Sequence, residues 1–329
     1  MTLPDPSHPI EEAEAETAFA AILDGDVPEA DIAAFLVALS ERGENAGEIA
    51  GAARAMRARM VPIVAPANAI DVCGTGGDGH HTLNVSTAVS LVVAACGVPV
   101  AKHGNRAASS KAGAADTLEA LGLNLERAVE TAEATLADLG ICFLFAARHH
   151  PALGRLMPLR KKLGRRTIFN LMGPLANPAQ VRRQLVGIAR PAYVPIYAEA
   201  ILRLGTEHSL VVSGDEGLDE LSLAGGNEVA EVTGSELAMR RVSPADAGLP
   251  VAPVDAIRGG DPQYNAQALR RLLMGEAGAY RDAVLFNAAG ALVVAGEAKT
   301  WREGVEEAAE AIDKGLANAL LNCWIDALK

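Results

Sequence analysis

The residues best suited to chemistry in this sequence lie in a glycine-rich segment, GTGGDG, at positions 74–79. Its four glycines let the backbone approach a ligand closely, so that successive N–H groups can converge on an anion. A predicted helix follows, and its N-terminus adds free N–H groups and a positive field. The spacing differs from the dinucleotide fingerprint and from the Walker loop. The segment therefore predicts a different kind of phosphate or pyrophosphate site, with a tight structural turn as the alternative.

Polar side chains near this loop favour the phosphate interpretation. Asp78 supplies a carboxylate, and the NVST segment at 84–87 supplies neutral hydrogen-bonding groups. A second loop, KHGNRAASSKAGAAD at 102–116, begins at the end of a predicted strand and carries Arg106 among its cations and hydroxyls. Such a loop suits a phosphate ester with several charges. An ordinary solvated loop is the alternative for this second segment.

An adjacent acidic pair, Asp219 and Glu220, lies in the segment GLDEL after another predicted strand. Mg²⁺ typically binds one or two carboxylates together with substrate phosphates, so the pair is a candidate metal site. Acidic pairs are also common in solvated loops. Between Leu139 and Ala198, by contrast, the chain has no Asp or Glu but ten Lys and Arg residues. That stretch indicates either a positive field for anionic small molecules or exposed basic faces.

Composition narrows the class of protein. The chain has 329 residues, half of them hydrophobic, which is enough for a large core and about two domains. A net charge of −12 argues against a general nucleic-acid binder, which needs a basic surface. The longest apolar run falls short of the roughly 20 residues that span a bilayer. The N-terminal residues are acidic and lack an apolar core, so we expect no signal peptide. The four cysteines lack metal-ligand spacing. We expect a cytoplasmic protein without nucleic-acid or membrane partners.

The pattern of elements changes along the chain. From Ile10 to about Met60, apolar residues recur at helical spacing, with interruptions at Gly25 and Gly43. Prolines at 62 and 66 then predict a hinge. Beyond residue 68, strands alternate with helices. The predicted strands are 69–73, 98–103, 141–146 and 208–214, and the predicted helices include 86–96, 126–139 and 300–327.

This alternation predicts βαβ units and a mainly parallel sheet. In such sheets ligands bind beyond the carboxyl ends of the strands, where both unusual loops fall. We therefore predict an α/β protein with a small N-terminal helical domain at 1–66, hinged to a larger α/β domain at 67–329.

The motifs occur together in an order that resembles one family. The sequence closely resembles the anthranilate phosphoribosyltransferases of tryptophan biosynthesis in DVCGTGGDGHHTLNVST, VAKHGNRAASSKAGAADTLEALG, RKKLGRRTIFNLMGPLANPA, GLDEL and FNAAGALVVAG. Members of that family have a helical domain hinged to a larger α/β domain, and they commonly form homodimers through the helical domain. The resemblance implies transfer of the phosphoribosyl group of 5-phosphoribosyl 1-pyrophosphate (PRPP) to anthranilate, with Mg²⁺ as cofactor. It also makes a segment near 150–182 a candidate for joining the helical domain.

The resemblance further implies roles for particular residues, none of them a covalent nucleophile. The positions that match the PRPP site are Gly74, Gly77, Asp78, Thr82, Asn84, Val85, Ser86, Thr87, Lys102, Arg106, Ser109, Ser110 and Ala114. Those that match the anthranilate site are Gly74, His103, Asn105, His150, Arg160 and Pro174. Those that match the Mg²⁺ site are Ser86, Asp219 and Glu220. Arg160 would hold the anthranilate carboxylate, a task that suits a guanidinium fork.

The sequence departs from the family pattern at several positions. Ala112 and Ala114 stand where the family usually has serines, and the second of these normally contacts phosphate. Loss of that hydroxyl costs about 1 kcal/mol of hydrogen bonding unless a water replaces it. Further departures lie at 145–147, 152–154 and 221–229. They put substrate positioning in question more than the phosphate and metal sites.

Two other functions remain open at this point. A pyrimidine-nucleoside phosphorylase shares the architecture, although the NPA and KHGNR segments favour the transferase. A non-catalytic nucleic-acid-binding relative is suggested by the basic stretch without acids. The GTGGDG, NVST and GLDEL segments and the acidic net charge oppose that alternative.

Overall fold

The computed structural model describes residues 2–107 and 110–329. Three helices come first, as the sequence predicts: α1 Glu12–Asp24, α2 Glu29–Arg42 and α3 Ala46–Arg57. Gly25 ends α1 in the left-handed conformation, with φ of 87°. Helix α3 begins with a capping box, in which the side chains of Asn45 and Glu48 each accept the other residue's backbone N–H. The predicted interruptions in the helical pattern are therefore confirmed.

A seven-stranded sheet organises the rest of the chain. Its strands are β1 Ile70–Gly74, β2 Val100–Gly104, β3 Ile141–Phe145, β4 Arg183–Gly187, β5 His208–Gly214, β6 Asn227–Thr233 and β7 Glu236–Val242. The order is β3-β2-β1-β4-β5-β6-β7. Strands β1 to β5 pair in parallel, and β6 and β7 join as an antiparallel hairpin. The structure confirms the predicted α/β class with a mainly parallel sheet.

Further helices cover the sheet, some of them between the parallel strands and the last ones after β7. They are α4 Val85–Ala95, α5 Ala114–Ala120, α6 Leu125–Glu130, α7 Ala132–Leu139, α8 Ala146–His149, α9 Pro151–Gly154, α10 Met157–Leu163, α11 Val194–Arg203, α12 Pro262–Leu273, α13 Ala279–Ala295, α14 Trp301–Asp313 and α15 Leu316–Ala327.

Two predictions of long helices are wrong, because each segment forms two shorter helices. The predicted helix at 126–139 is interrupted at Thr131, whose hydroxyl donates to the Arg127 carbonyl while its backbone leaves helical geometry. The predicted helix at 300–327 is two helices, because Gly315 adopts a left-handed φ of 72° between α14 and α15. A positive φ cannot continue a right-handed helix.

Alternating strand residues point into different apolar clusters on the two faces of the sheet. Leu185 packs with α4 and α13 on one face. Val186, its neighbour in β4, packs on the other face with the N-terminal helices and with Ile168 and Phe169. The segment around residues 156–176 thus shares a core with α1–α3. The domain boundaries at residue 66 and near 150–182 stay predictions. Within the described residues, no helix has both the length and the apolar character needed to cross a membrane.

Candidate active site

Asp219 approaches the glycine-rich loop from the segment that follows β5. Its Oδ2 accepts a hydrogen bond from the N–H of Gly76 at 2.6 Å. Glycine is needed at two neighbouring strand ends for this approach. A Cβ atom on Gly74 would overlap the Asp219 carboxylate, and one on Gly187 would overlap the Asp219 carbonyl. The ends of β1 and β4 are therefore shaped to admit this acidic segment.

Glu220 lies beside the first turn of α4. Its Oε1 accepts from the N–H of Ser86 at 3.2 Å. The Ser86 hydroxyl accepts from Lys102 Nζ at 3.3 Å, and that ammonium also donates to the Val72 carbonyl at 2.9 Å. The structure thus brings the predicted Mg²⁺ residues together around a buried lysine at the carboxyl ends of the strands.

The acidic pair lies in an environment that opposes negative charge. Burial is the main cause that raises the pKa of Asp219 to about 7, and the nearby Asp78 carboxylate adds to the rise. Burial, followed by the charge of Asp219, raises the pKa of Glu220 well above its usual range. Burial also lowers the pKa of Lys102, although Asp71 acts in the opposite direction. A bound cation would favour the ionised carboxylates here.

The residues present fit a magnesium ion that shares its ligands with substrate. Two carboxylates and a hydroxyl are the hard oxygen ligands that this ion prefers. Across the described ranges, no three His, Cys, Asp or Glu side chains converge as a metal site made by protein alone. That donor set suits an ion that completes its shell with phosphate oxygens and water.

The phosphate-binding candidates surround the start of α4. Gly76, Gly77 and Gly79 all have positive φ, a backbone conformation that other residues rarely adopt. Thr82 forms an isolated bridge with Arg258. The remaining predicted residues here are Asn84, which precedes α4, Val85, which begins it, and Thr87, whose buried hydroxyl has no partner among the described residues.

In the second loop, the structure directs fewer of the predicted PRPP residues toward the start of α4. Arg106 forms ion pairs with Asp116 at 2.9 Å and Glu119 at 2.5 Å, so its guanidinium is directed toward α5. Asn105 is exposed, and its side chain accepts from the N–H of Arg106. Ser110 is exposed, and Ser109 lies outside the described residues.

The two departures from the family's serines differ in their surroundings. Ala112 is buried, and its carbonyl accepts from the Asn84 amide at 3.3 Å. Ala114 is only half-buried at the first position of α5. A hydroxyl at Ala114 would therefore reach solvent or a ligand more readily than one at Ala112.

Two buried histidines form the centre of the predicted anthranilate site. The rings of His103 and His150 lie 5.2 Å apart. His103 Nδ1 lies 2.8 Å from the carbonyl of Gly173, the residue before Pro174, so Nδ1 carries the proton and Nε2 is an acceptor. Nε2 of both rings is buried without a partner among the described residues. Burial lowers the pKa of His103 to about 3 and that of His150 to about 4, which keeps both rings neutral.

Arg160 offers a cation on the helical side of the molecule. Its guanidinium lies 5.8 Å from the ring centre of Phe169, and Nη1 lies 3.8 Å from the sulfur of Met157. Burial lowers its pKa, although the group stays charged at neutral pH. Among the described residues it has no acidic partner, so its charge can meet a substrate carboxylate.

Several residues that hold the site were missed from the sequence. Asp71 is fully buried and accepts from the N–H of His103 at 3.1 Å and from the Asn177 amide at 2.8 Å. The Asn287 side-chain amide accepts from the N–H of Leu221 at 2.8 Å and donates to the Leu221 carbonyl at 2.9 Å. Leu221 is the residue after Glu220. A carboxylate inside a buried strand was the available signal for Asp71. Asn287 stands within the FNAAG segment, which resembles the family but whose sequence alone indicates no role.

Comparisons with known proteins agree with this geometry. Residues 7–60 match a model described as the helical bundle domain of a glycosyl transferase family, and residues 66–318 match its a/b domain. An anthranilate phosphoribosyltransferase of Novosphingobium aromaticivorans is 84% identical over 327 residues, 99% of each chain. One of Sphingopyxis alaskensis is 74% identical over 98% of this chain and 97% of its own.

Solved structures also match over nearly the whole chain. The crystal structure of anthranilate phosphoribosyltransferase from Thermus thermophilus superposes with a TM-score of 0.91 at 44% identity, over 98% of this chain and 97% of that one. The enzyme from Saccharomyces cerevisiae in complex with PRPP and Mg gives 0.88 at 28% identity, over 97% and 93%. Sequence and structure agree over nearly the whole length. The chain therefore belongs to the anthranilate phosphoribosyltransferase family.

Proposed function

We propose that this protein transfers the phosphoribosyl group of PRPP to anthranilate, giving N-(5-phosphoribosyl)anthranilate and pyrophosphate, in tryptophan biosynthesis. One observation carries the proposal. The half-buried pair Asp219 and Glu220 meets the glycine-rich loop, the start of α4 and Lys102 at the carboxyl ends of the parallel strands. That arrangement suits a pyrophosphate with a divalent cation. Family membership supplies the identity of the two substrates.

The reaction needs no protein nucleophile, because the anthranilate amine is itself nucleophilic at neutral pH. It forms a bond to C1 of the ribose as the bond from C1 to pyrophosphate breaks. Mg²⁺ held by Ser86, Asp219 and Glu220 would neutralise charge on the departing pyrophosphate. The loop N–H groups and Lys102 would bind the same leaving group by hydrogen bonds and charge.

The anthranilate would be held by groups of opposite chemistry. Arg160 would bind its carboxylate through two N–H donors. The Nε2 of His103, which has no partner among the described residues, would accept a hydrogen bond from the amine and orient the amine lone pair toward C1. Because both histidines stay neutral, they do not repel the cationic character that develops at the sugar. Closure of the two parts of the molecule would exclude water that hydrolyses the donor.

Three further features accompany this proposal. We propose that Mg²⁺ is the cofactor, that the protein works in the cytoplasm, and that it forms a homodimer through the helical domain. The proposal of a dimer rests on the homodimers that members of the family commonly form. Light scattering at several protein concentrations tests it, since a monomer mass throughout would refute it.

Product analysis tests the proposed reaction. Purified protein incubated with PRPP, anthranilate and Mg²⁺ should release one pyrophosphate for each anthranilate consumed, and omission of any component should stop both. Phosphorolysis of thymidine with inorganic phosphate would instead identify a nucleoside phosphorylase. Binding of nucleic acid that weakens steeply with salt would favour the non-catalytic alternative.

A further inference from the structure

Arg166 connects the helical part of the molecule to the back of the glycine-rich loop. Its Nη1 donates to the carbonyl of Gly76 at 3.0 Å and to that of Gly77 at 2.8 Å. The contact is close, because a Cβ atom on Gly77 would overlap this nitrogen. Asp219 and Asp78 are near enough to raise the pKa of Arg166 against the larger, lowering effect of burial. The guanidinium therefore lies directly behind the loop and near Asp219 and Asp78.

These two hydrogen bonds determine the direction of the loop's N–H groups. In a trans peptide the C=O and N–H bonds point in opposite directions. Holding the carbonyls of Gly76 and Gly77 on one nitrogen therefore turns the N–H groups of Gly77 and Asp78 away from it. Neither N–H has an acceptor in the part of the chain that is described. Gly76 and Gly77 have φ of 72° and 76°. Because glycine has no Cβ atom to restrict the backbone, these peptide units could otherwise rotate.

The backbone of Arg166 is anchored on its other side. The hydroxyl of Ser40 in α2 donates to the Arg166 carbonyl at 3.1 Å. Ile168 and Phe169 come two and three residues later and are buried in the apolar cluster of the N-terminal helices. Arg166 thus extends from a fixed point on the helical part to the loop at the end of β1.

We propose that Arg166 is a positioning residue that directs the N–H groups of Gly77 and Asp78 toward the pyrophosphate of PRPP and makes PRPP binding depend on the helical part. The inference rests on the proposed function, because that function places pyrophosphate at this loop. Arg166 contacts the loop and none of the anthranilate residues, so its removal should affect one substrate much more than the other.

The test compares three variants with wild type. R166Q removes the charge, R166K keeps a single nitrogen able to reach the two carbonyls, and R165Q is the matched control. Arg165 is the adjacent arginine, exposed and paired with Glu41 at 2.8 Å. Calorimetry measures the affinity for inorganic pyrophosphate with Mg²⁺. Steady-state kinetics measure KM for PRPP and KM for anthranilate separately.

R166Q should weaken pyrophosphate binding and raise KM for PRPP by about tenfold or more, with KM for anthranilate within about twofold. R166K should fall between R166Q and wild type, and R165Q should match wild type. Unchanged pyrophosphate affinity in R166Q would overturn the inference, and so would equal rises in both KM values, which mark a general structural loss. If R166Q does not fold, R166K decides, and wild-type pyrophosphate affinity in it would overturn the inference. Wild-type protein that binds pyrophosphate without consuming anthranilate would sink the proposed function instead, and the calorimetric comparison would still decide the role of Arg166.

Discussion

At the scale of single residues, the neutral histidines give the site a distinctive dependence on pH. His103 and His150 are buried without partners at Nε2 among the described residues, and burial holds the pKa of each far below the usual 6.5. The unfolded chain binds protons at these residues below about pH 6.5, whereas the folded chain does not until about pH 3 or 4. Stability from these groups is therefore present above pH 6.5 and is lost as the pH falls.

Substitution of His103 should reduce the loss of stability that occurs as the pH falls. Between pH 7.5 and 5.5 the free energy of unfolding of wild type should fall by roughly 1.4 kcal/mol more than that of H103N. Urea denaturation at both pH values measures the difference. H8N is the control, because His8 is exposed. Parallel changes in wild type and H103N would contradict the neutral, buried state of this ring.

The two alanines that replace family serines should respond differently to restoration of the hydroxyl. A114S places it at the half-buried start of α5 and should lower KM for PRPP by a few-fold, in line with about 1 kcal/mol for one hydrogen bond. A112S would bury the hydroxyl and should not lower KM for PRPP. Equal kinetics for A114S and wild type would indicate that water already fills this position.

The residues of the site differ in how far the sequence could predict them. Asp219 and Glu220 were found because an adjacent acidic pair after a strand is a recognisable pattern, and the structure places them against the glycine-rich loop. Arg166 is one of ten basic residues between 139 and 198, and nothing in its type or neighbours sets it apart. Its contact with Gly76 spans 90 residues of sequence, which only the folded chain reveals.

At the scale of elements, strands and helices that follow strong patterns were predicted within a residue or two. The prediction of strand 208–214 matches β5 as it stands, and predicted helix 86–96 is α4 shifted by one residue. The edge hairpin of β6 and β7 was not predicted. Strand β7 is largely exposed, so burial leaves little apolar alternation in its sequence. The break at Gly315 was missed because the amphipathic pattern continues across it.

Gly315 offers a direct test of that break. Its φ of 72° disfavours any side chain, while a Cβ atom there would meet no other atom within 4 Å. G315A should therefore lower the free energy of unfolding by about 1 kcal/mol through the backbone alone. G154A is the control, because Gly154 ends α9 with equally open space and no positive φ. A G315A protein as stable as G154A would contradict the left-handed conformation.

For the whole molecule, pyrophosphate should stabilise the fold only as a complex with Mg²⁺. Pyrophosphate at 100 times its Kd, with Mg²⁺, should add about 2.7 kcal/mol to the free energy of unfolding and raise Tm accordingly. Chelation of the metal should abolish most of this gain, because the pyrophosphate then loses the cation that links it to Asp219 and Glu220. Thermal unfolding with pyrophosphate, Mg²⁺, both or neither measures the coupling. An equal shift by pyrophosphate alone would show that the acidic pair does not hold the metal.

Asp219 should help to hold Mg²⁺ against the leaving pyrophosphate, and the loss of anthranilate fluorescence measures this role. Wild type and D219N are compared with PRPP and Mg²⁺ present or withheld, and Tm is measured for both. Wild type should consume anthranilate only when both are present. D219N should retain its Tm, because it removes a charge that burial opposes, and should lose about 100-fold or more of turnover. Full Mg²⁺-dependent activity in a folded D219N protein would show that the Asp219 carboxylate is not needed to hold Mg²⁺.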